Sequence, residues 1–157
     1  MEDRPHRFAC RVYLEDTDSG GVVYHASYLR FAERARTEYL RALGLSHSQL
    51  IAREGLIFVV KRLSVEYHRP ARLDDSLVVI TRAPVIGSAS LELAQGVFRS
   101  GEEGEVAVAS LAVTLACVRV ATLRPARLPP RLRALIGRGG PGMVCEGRRN
   151  EGDGSCG

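Results

Sequence analysis

The stretch Ser27-Tyr28-Leu29-Arg30-Phe31-Ala32-Glu33-Arg34-Ala35-Arg36-Thr37-Glu38-Tyr39-Leu40-Arg41-Ala42-Leu43-Gly44 decides the fold class. Tyr28, Phe31, Ala32, Ala35, Tyr39, Ala42 and Leu43 recur at steps of three and four. Arg30, Arg34, Glu38 and Arg41 fall on other faces. That spacing predicts one long helix. Ser27 is the expected N-cap, because its hydroxyl can accept from a first-turn N–H. Gly44 is the expected left-handed stop. A short second helix is expected at 47–53, where Ser46 and Gln49 make a capping-box pattern.

Outward from this helix the chain reads as extended. Phe8–Leu14 alternates, with Phe8, Cys10, Val12 and Leu14 on one face, and predicts a strand. Further strands are predicted at Phe58–Arg69, ended by Pro70, at Leu77–Val85, with Pro84 at an edge or bulge, at Ala89–Arg99 and at Glu105–Val118. Tight turns at Gly87-Ser88 and Gly101-Glu102-Glu103-Gly104 make the last three an antiparallel meander. The class is α+β: an antiparallel sheet of about five strands, one face covered by one long helix. After residue 123 the chain turns rich in Arg, Pro and Gly, and Arg131–Ile136 reads as a single helical turn. Residues 137–157 hold eight glycines and are expected to be disordered, so the single domain is placed at 1–136.

Composition excludes several function classes. The 157 residues are 45% apolar and 25% charged, as in an ordinary globular domain that folds without metal or disulfides. Cysteines 10, 117, 145 and 156 lack zinc-site spacing, and no run approaches the roughly 18 apolar residues of a membrane span. A reducing cytoplasm is the expected compartment. The net charge of +4 lies wholly after residue 123, where seven arginines meet three acids. The body is neutral and carries no basic, aromatic-interleaved stripe, so nucleic acid is not an expected partner.

Chemistry concentrates in Asp16-Thr17-Asp18-Ser19-Gly20-Gly21-Val22-Val23-Tyr24-His25, between the first strand and the helix. Glycines allow close approach of a ligand to the backbone. A helix start offers unpaired N–H groups to an oxyanion or phosphate. A carboxylate and an imidazole beside it supply acid–base or nucleophilic groups. On composition alone the competing reading stays open, that Asp16 and Asp18 are turn residues and His25 a polar neighbour of the helix. A calcium loop is excluded, because its closing glutamate position is Ser27. His6, His47 and His68 read as surface or internally satisfied imidazoles, and Asp74-Asp75 as a turn. Glu33 is open between pairing with Arg34 or Arg36 and a functional role.

The blocks Arg11-Val12-Tyr13-Leu14-Glu15-Asp16-Thr17-Asp18, Gly21-Val22-Val23-Tyr24-His25-Ala26-Ser27-Tyr28 and Phe31-x-Glu33-Arg34-Ala35-Arg36-Thr37-Glu38 closely resemble acyl-CoA thioesterases associated with the Tol–Pal system. These are in the 4-hydroxybenzoyl-CoA thioesterase-like group. Val65-Glu66-Tyr67-x-x-Pro70-Ala71-Arg72-Leu73-Asp74-Asp75 agrees in order and spacing. The resemblance spans roughly residues 7–125. It implies a hotdog fold, assembly as homodimers and homotetramers, and hydrolysis of short-chain or aromatic acyl-CoA. No metal and no cofactor is implied beyond the coenzyme A moiety of the substrate. Asp18 matches the catalytic carboxylate, as base or nucleophile; His25 matches a catalytic histidine, and Glu33 a helix glutamate near the site. The backbone at Tyr24 and His25 corresponds to the oxyanion donors, and Gly20, Gly21, Val22, Val23 and Tyr28 to the substrate-binding loop. Two departures stand out: Leu14 replaces a second tyrosine of many relatives, and Ile86 replaces a basic residue of some. The competing readings are a hotdog dehydratase and a non-catalytic module for acyl carrier protein or lipid-synthesis partners. The Asp-Thr-Asp block speaks against the dehydratase.

Overall fold

In the computed structural model, residues 5–138 are described. Strand β1 (His6–Arg11) leads through a short 3-10 turn (Leu14–Asp16) and a loop into α1 (Ser27–Ala42) and α2 (His47–Glu54). The strands β2 (Leu56–Tyr67), β3 (Ser76–Ile86), β4 (Ser90–Gly101) and β5 (Gly104–Arg119) follow, then α3 (Pro130–Arg138). The five strands form one sheet in the order β1-β3-β4-β5-β2, each pair antiparallel. The α+β arrangement read from the residues, and the hotdog fold that the resemblance implies, are the ones observed.

Helix α1 lies on the sheet because its apolar stripe is continuous. Phe31, Ala32, Ala35, Tyr39 and Leu40 are buried with Leu77, Val79, Leu91, Leu93, Val97 and Val113 of the strands in one core. A polar contact sits within it. Arg36, 9% exposed, donates from Nη1 to Gln95 Oε1 at 3.0 Å. Gln95 Nε2 in turn donates to the Ala32 carbonyl (3.0 Å) and to Thr81 Oγ1 (3.1 Å). Burial lowers the Arg36 pKa from its usual range, and the Glu33 charge works against that shift.

The helix ends as expected. The Gly44 amide donates to the Arg41 carbonyl and the Leu45 amide to that of Leu40, the paired bonds of a Schellman stop, with Gly44 at φ 88°. Ser46 caps α2 by accepting from the Gln49 amide at 3.1 Å.

Four expectations are corrected. Ser27 is not the N-cap of α1: Ala26 holds that place, and the buried Ser27 hydroxyl donates to the Asp16 carbonyl instead (3.1 Å). β1 stops at Arg11, so Leu14 leaves the apolar face and is 75% exposed in the 3-10 turn. The last segment is a nine-residue helix rather than one turn, with Leu132 and Ile136 buried in the core and Leu128 donating its amide to the Ser88 carbonyl. Gly137 and Arg138 belong to that helix; the rest of the expected tail, with Cys145 and Cys156, lies outside the described residues.

Pro84 falls where the β3–β4 register slips between Arg82 and Val85, the bulge its missing N–H requires. Cys10 and Cys117 are free thiols; burial pushes Cys10 up to about 11, more than Arg34 pulls it down, with Asp16 adding to the rise. Among the described residues no helix is long and apolar enough to cross a membrane.

Candidate active site

The loop before α1 is built on a buried carboxylate. Asp16, 3% exposed, accepts the Tyr13 amide on Oδ2 at 2.8 Å. Its own carbonyl accepts the Tyr24 amide (2.9 Å) as well as the Ser27 hydroxyl. One residue thus ties the 3-10 turn to the helix entry. Between these ties the chain makes a tight hairpin: Thr17 bridges Val23, the Asp18 amide donates to the Val22 carbonyl, and the Gly21 amide donates back to the Asp18 carbonyl. Gly21 takes φ 81°, a left-handed conformation that a side chain would strain. Val22 in turn bridges Arg72, and the Val23 amide donates to the Ala71 carbonyl, which fastens the hairpin to the segment after β2.

The structure separates the two aspartates by role. Asp18 is exposed at the hairpin tip, where its Oδ1 accepts the Gly20 amide at 2.8 Å. It does not line the pocket at the helix start. That pocket, about 250 Å³, is lined by Val23, His25, Tyr28, Tyr67, His68, Arg69 and Pro70. His25 is exposed, and its ring lies 4.5 Å from that of Tyr24, centroid to centroid. Tyr28 is buried, accepts the Ala71 amide on its hydroxyl (3.1 Å), and meets the Tyr67 ring edge-on at 5.5 Å. Burial raises the Tyr28 pKa above its usual value, against the Ala71 bond.

The amides at this end are not equally available. Tyr24 N–H is committed to Asp16, so it is not the free oxyanion donor the family resemblance implied. The amides of His25 and Ala26 donate to no backbone acceptor among the described residues, and they sit where the helix dipole is positive. Of the expected substrate loop, Val23 and Tyr28 line the pocket, while Gly20, Gly21 and Val22 do not.

Glu33 lies elsewhere. It is exposed and lines a larger cleft, about 630 Å³, with Arg36, Thr37, Phe58, Val59 and Val60 among its walls. Seen from Ser27 it is six residues along α1, about 9 Å of helix rise. The pocket at the helix start therefore unites His25 with Tyr28 and Val23; Glu33 lines the larger cleft, and Asp18 lines neither, although its hairpin pairs with the Val22–Val23 segment.

Sequence reading missed Tyr67, His68 and Arg69 in this pocket. His68 is the surface, internally satisfied imidazole expected, exposed and with Nε2 2.8 Å from Ser110 Oγ, but its place in the pocket lining was not foreseen. The only signal was the matching block from Val65 to Asp75, which placed the segment in the family without pointing at the helix start. Among the described residues no group of three His, Cys, Asp or Glu is placed to hold a metal ion.

Residues 12–136 match the model of the thioesterase-like superfamily. The chain belongs to this family. This thioesterase-like chain is 41% identical over 134 residues to acyl-CoA thioesterase YbgC of Haemophilus influenzae, covering 85% of the chain and 96% of that protein. It is 43% identical over 132 residues to acyl-CoA thioester hydrolase YbgC of Escherichia coli O157:H7, covering 82% and 92%. Among solved structures it resembles a probable thioesterase from Bartonella henselae, with TM-score 0.74 and 38% identity over 80% of this chain and 99% of that one. The match therefore takes in the hairpin, α1, the whole meander and most of α3.

Proposed function

We propose that this chain is an acyl-CoA thioesterase that hydrolyses short-chain or aromatic acyl-CoA to the free acid and coenzyme A. Relatives at 41% and 43% identity over most of the chain are named acyl-CoA thioesterase and acyl-CoA thioester hydrolase; the acyl class rests on the family resemblance. The observation that carries the reading is the entry to α1: amides at His25 and Ala26 that meet no backbone acceptor among the described residues, beside a pocket lined in part by His25. Amide donors at a helix start stabilise the charge that develops on a thioester oxygen as it is attacked. Water oxygen bonds to the acyl carbon, the carbon–sulfur bond breaks, and the thiolate leaves with the electron pair. No metal enters this scheme. Asp18 takes the proton of that water as general base; in the alternative route its carboxylate attacks the acyl carbon first, expels the thiolate and forms a mixed anhydride, which water then cleaves to the free acid and the restored Asp18 carboxylate. His25 orients the water or protonates the departing sulfur.

An exposed Asp18 and an open Glu33 cleft with solvent-facing Val59 and Val60 support a homodimer, and beyond it a homotetramer, in which these surfaces close against a second copy. A cytoplasmic setting, a Tol–Pal connection and acyl carrier protein as a further partner belong to the same reading, and rest on the family resemblance. A free-thiol release assay over acyl-CoAs of graded chain length and aromatic acyl groups tests it. Thiol release with a preference among the panel is expected; no release from any member rejects the thioesterase assignment.

A further inference from the structure

Tyr67 is the last residue of β2, yet its phenol reaches the helix start 42 residues earlier and donates to the His25 carbonyl at 2.8 Å. That carbonyl and the Ala26 N–H belong to the same peptide plane, and the plane is rigid, so holding one end orients the other. The Ala26 N–H has no backbone acceptor among the described residues. A donor placed on a peptide carbonyl also draws density from the attached nitrogen, which makes the N–H at the far side a stronger donor; such polarisation strengthens a chained hydrogen bond by roughly 10–30%. The phenol is itself braced. Its ring packs edge-on against Tyr28, which is buried and bonded to the Ala71 amide.

We propose that Tyr67 is a positioning residue for the thioester hydrolysis assigned above: it orients and polarises the His25–Ala26 peptide so that the Ala26 N–H joins the His25 N–H as an oxyanion donor. The inference rests on the thioesterase reading. It adds a residue from the far end of the sheet to that reaction, and it explains why Tyr67, half exposed at a strand end, spends its hydroxyl on a helix-entry carbonyl rather than on water.

Tyr67→Phe tests it, since the ring and its contact with Tyr28 are kept while the donor is lost. Loss of a direct oxyanion donor lowers kcat by about 100- to 1,000-fold, and an indirect one should cost less, about tenfold. The expected result is a kcat about tenfold lower, KM within twofold, an unchanged melting temperature and an upfield shift of the Ala26 amide proton. A merely structural tether would move the melting temperature without this split between kcat and KM. Wild-type thiol release with an unaltered kcat in Tyr67→Phe, or a kcat loss that follows a lowered melting temperature, overturns the Tyr67 role and leaves the thioesterase reading standing. Absence of thiol release by the wild type would overturn the thioesterase reading first, and this role with it.

Discussion

Two aspartates two residues apart should give opposite phenotypes. Asp16→Ala deletes the acceptor of the Tyr13 amide inside a site that is 3% exposed. A hydrogen bond to a charged acceptor contributes about 1.5–3 kcal/mol, and nothing in the described surroundings replaces this one. The bonds from the Tyr24 amide and the Ser27 hydroxyl to the Asp16 carbonyl remain, which keeps the estimate at about 2 kcal/mol. For a chain of this length each kcal/mol moves the melting temperature by about 2–4 °C, so a fall of roughly 4–8 °C is expected. Asp18→Asn leaves an oxygen able to accept the Gly20 amide at an exposed tip, so stability should stay within about 0.5 kcal/mol. Its turnover should drop by about 100-fold or more if the carboxylate moves a proton or attacks. Urea unfolding followed by circular dichroism, with thiol release measured on the same samples, separates the two. An Asp16→Ala protein as stable as the wild type would refute the scaffold assignment, and an Asp18→Asn protein turning over within a few-fold of wild type would remove Asp18 from the chemistry.

The remaining predictions concern the core. Burial raises Cys10 to about 11 and Tyr39 to about 12, so both groups favour their neutral forms in the folded chain. The unfolded chain releases these protons first; the stability they contribute is fully present below about pH 9 and is lost as pH climbs toward about 12. Urea midpoints should fall across that window, and Cys10→Ala should flatten the part between about pH 9 and 11; a slope unchanged by the substitution would count against it. The Tyr39 hydroxyl is buried with no hydrogen-bond partner among the described residues. Tyr39→Phe should therefore stabilise the fold by about 1 kcal/mol, and a loss on urea unfolding would reveal a partner for that hydroxyl. Leu132 is fully buried, so Leu132→Ala should destabilise by about 2–5 kcal/mol, whereas a value below about 1 would mean that α3 is not part of the core.

Much of the architecture could be read from periodicity, and its failures have identifiable causes. Helix α1 was legible because its apolar steps of three and four run unbroken from Tyr28 to Leu43, and the meander because Gly-rich turns separate β-branched runs. Leu14 misled because alternation runs on through Val12 to Leu14, three residues past Arg11, the last residue of β1 in register with β3; the Asp16 amide turns back to the Tyr13 carbonyl in the 3-10 turn, and no side-chain pattern announces that bond. Helix α3 was undervalued because arginines dilute its composition, while Leu132 and Ile136, one helical turn apart, are buried in the core and Leu135 packs against it. The loop itself was legible as the place of chemistry. Which of its acids is buried was not, since Asp16 and Asp18 are chemically alike and only the hairpin's hydrogen bonds tell them apart. Tyr67, His68 and Arg69 were hidden for a different reason. Their nearness to His25 arises from the end of a strand meeting the start of a helix, a juxtaposition that local sequence does not encode.

The Arg36–Gln95–Thr81 contact under α1 has a consequence for aim. Turning the helix by one residue, about 100°, would push a guanidinium among valines and leucines and strand the Gln95 amide. Of all the azimuths an apolar stripe tolerates, this trio singles out one. The helix entry, nine residues or about 13 Å upstream of Arg36, inherits that heading, so the direction in which the His25 and Ala26 amides point is governed from the middle of the rod.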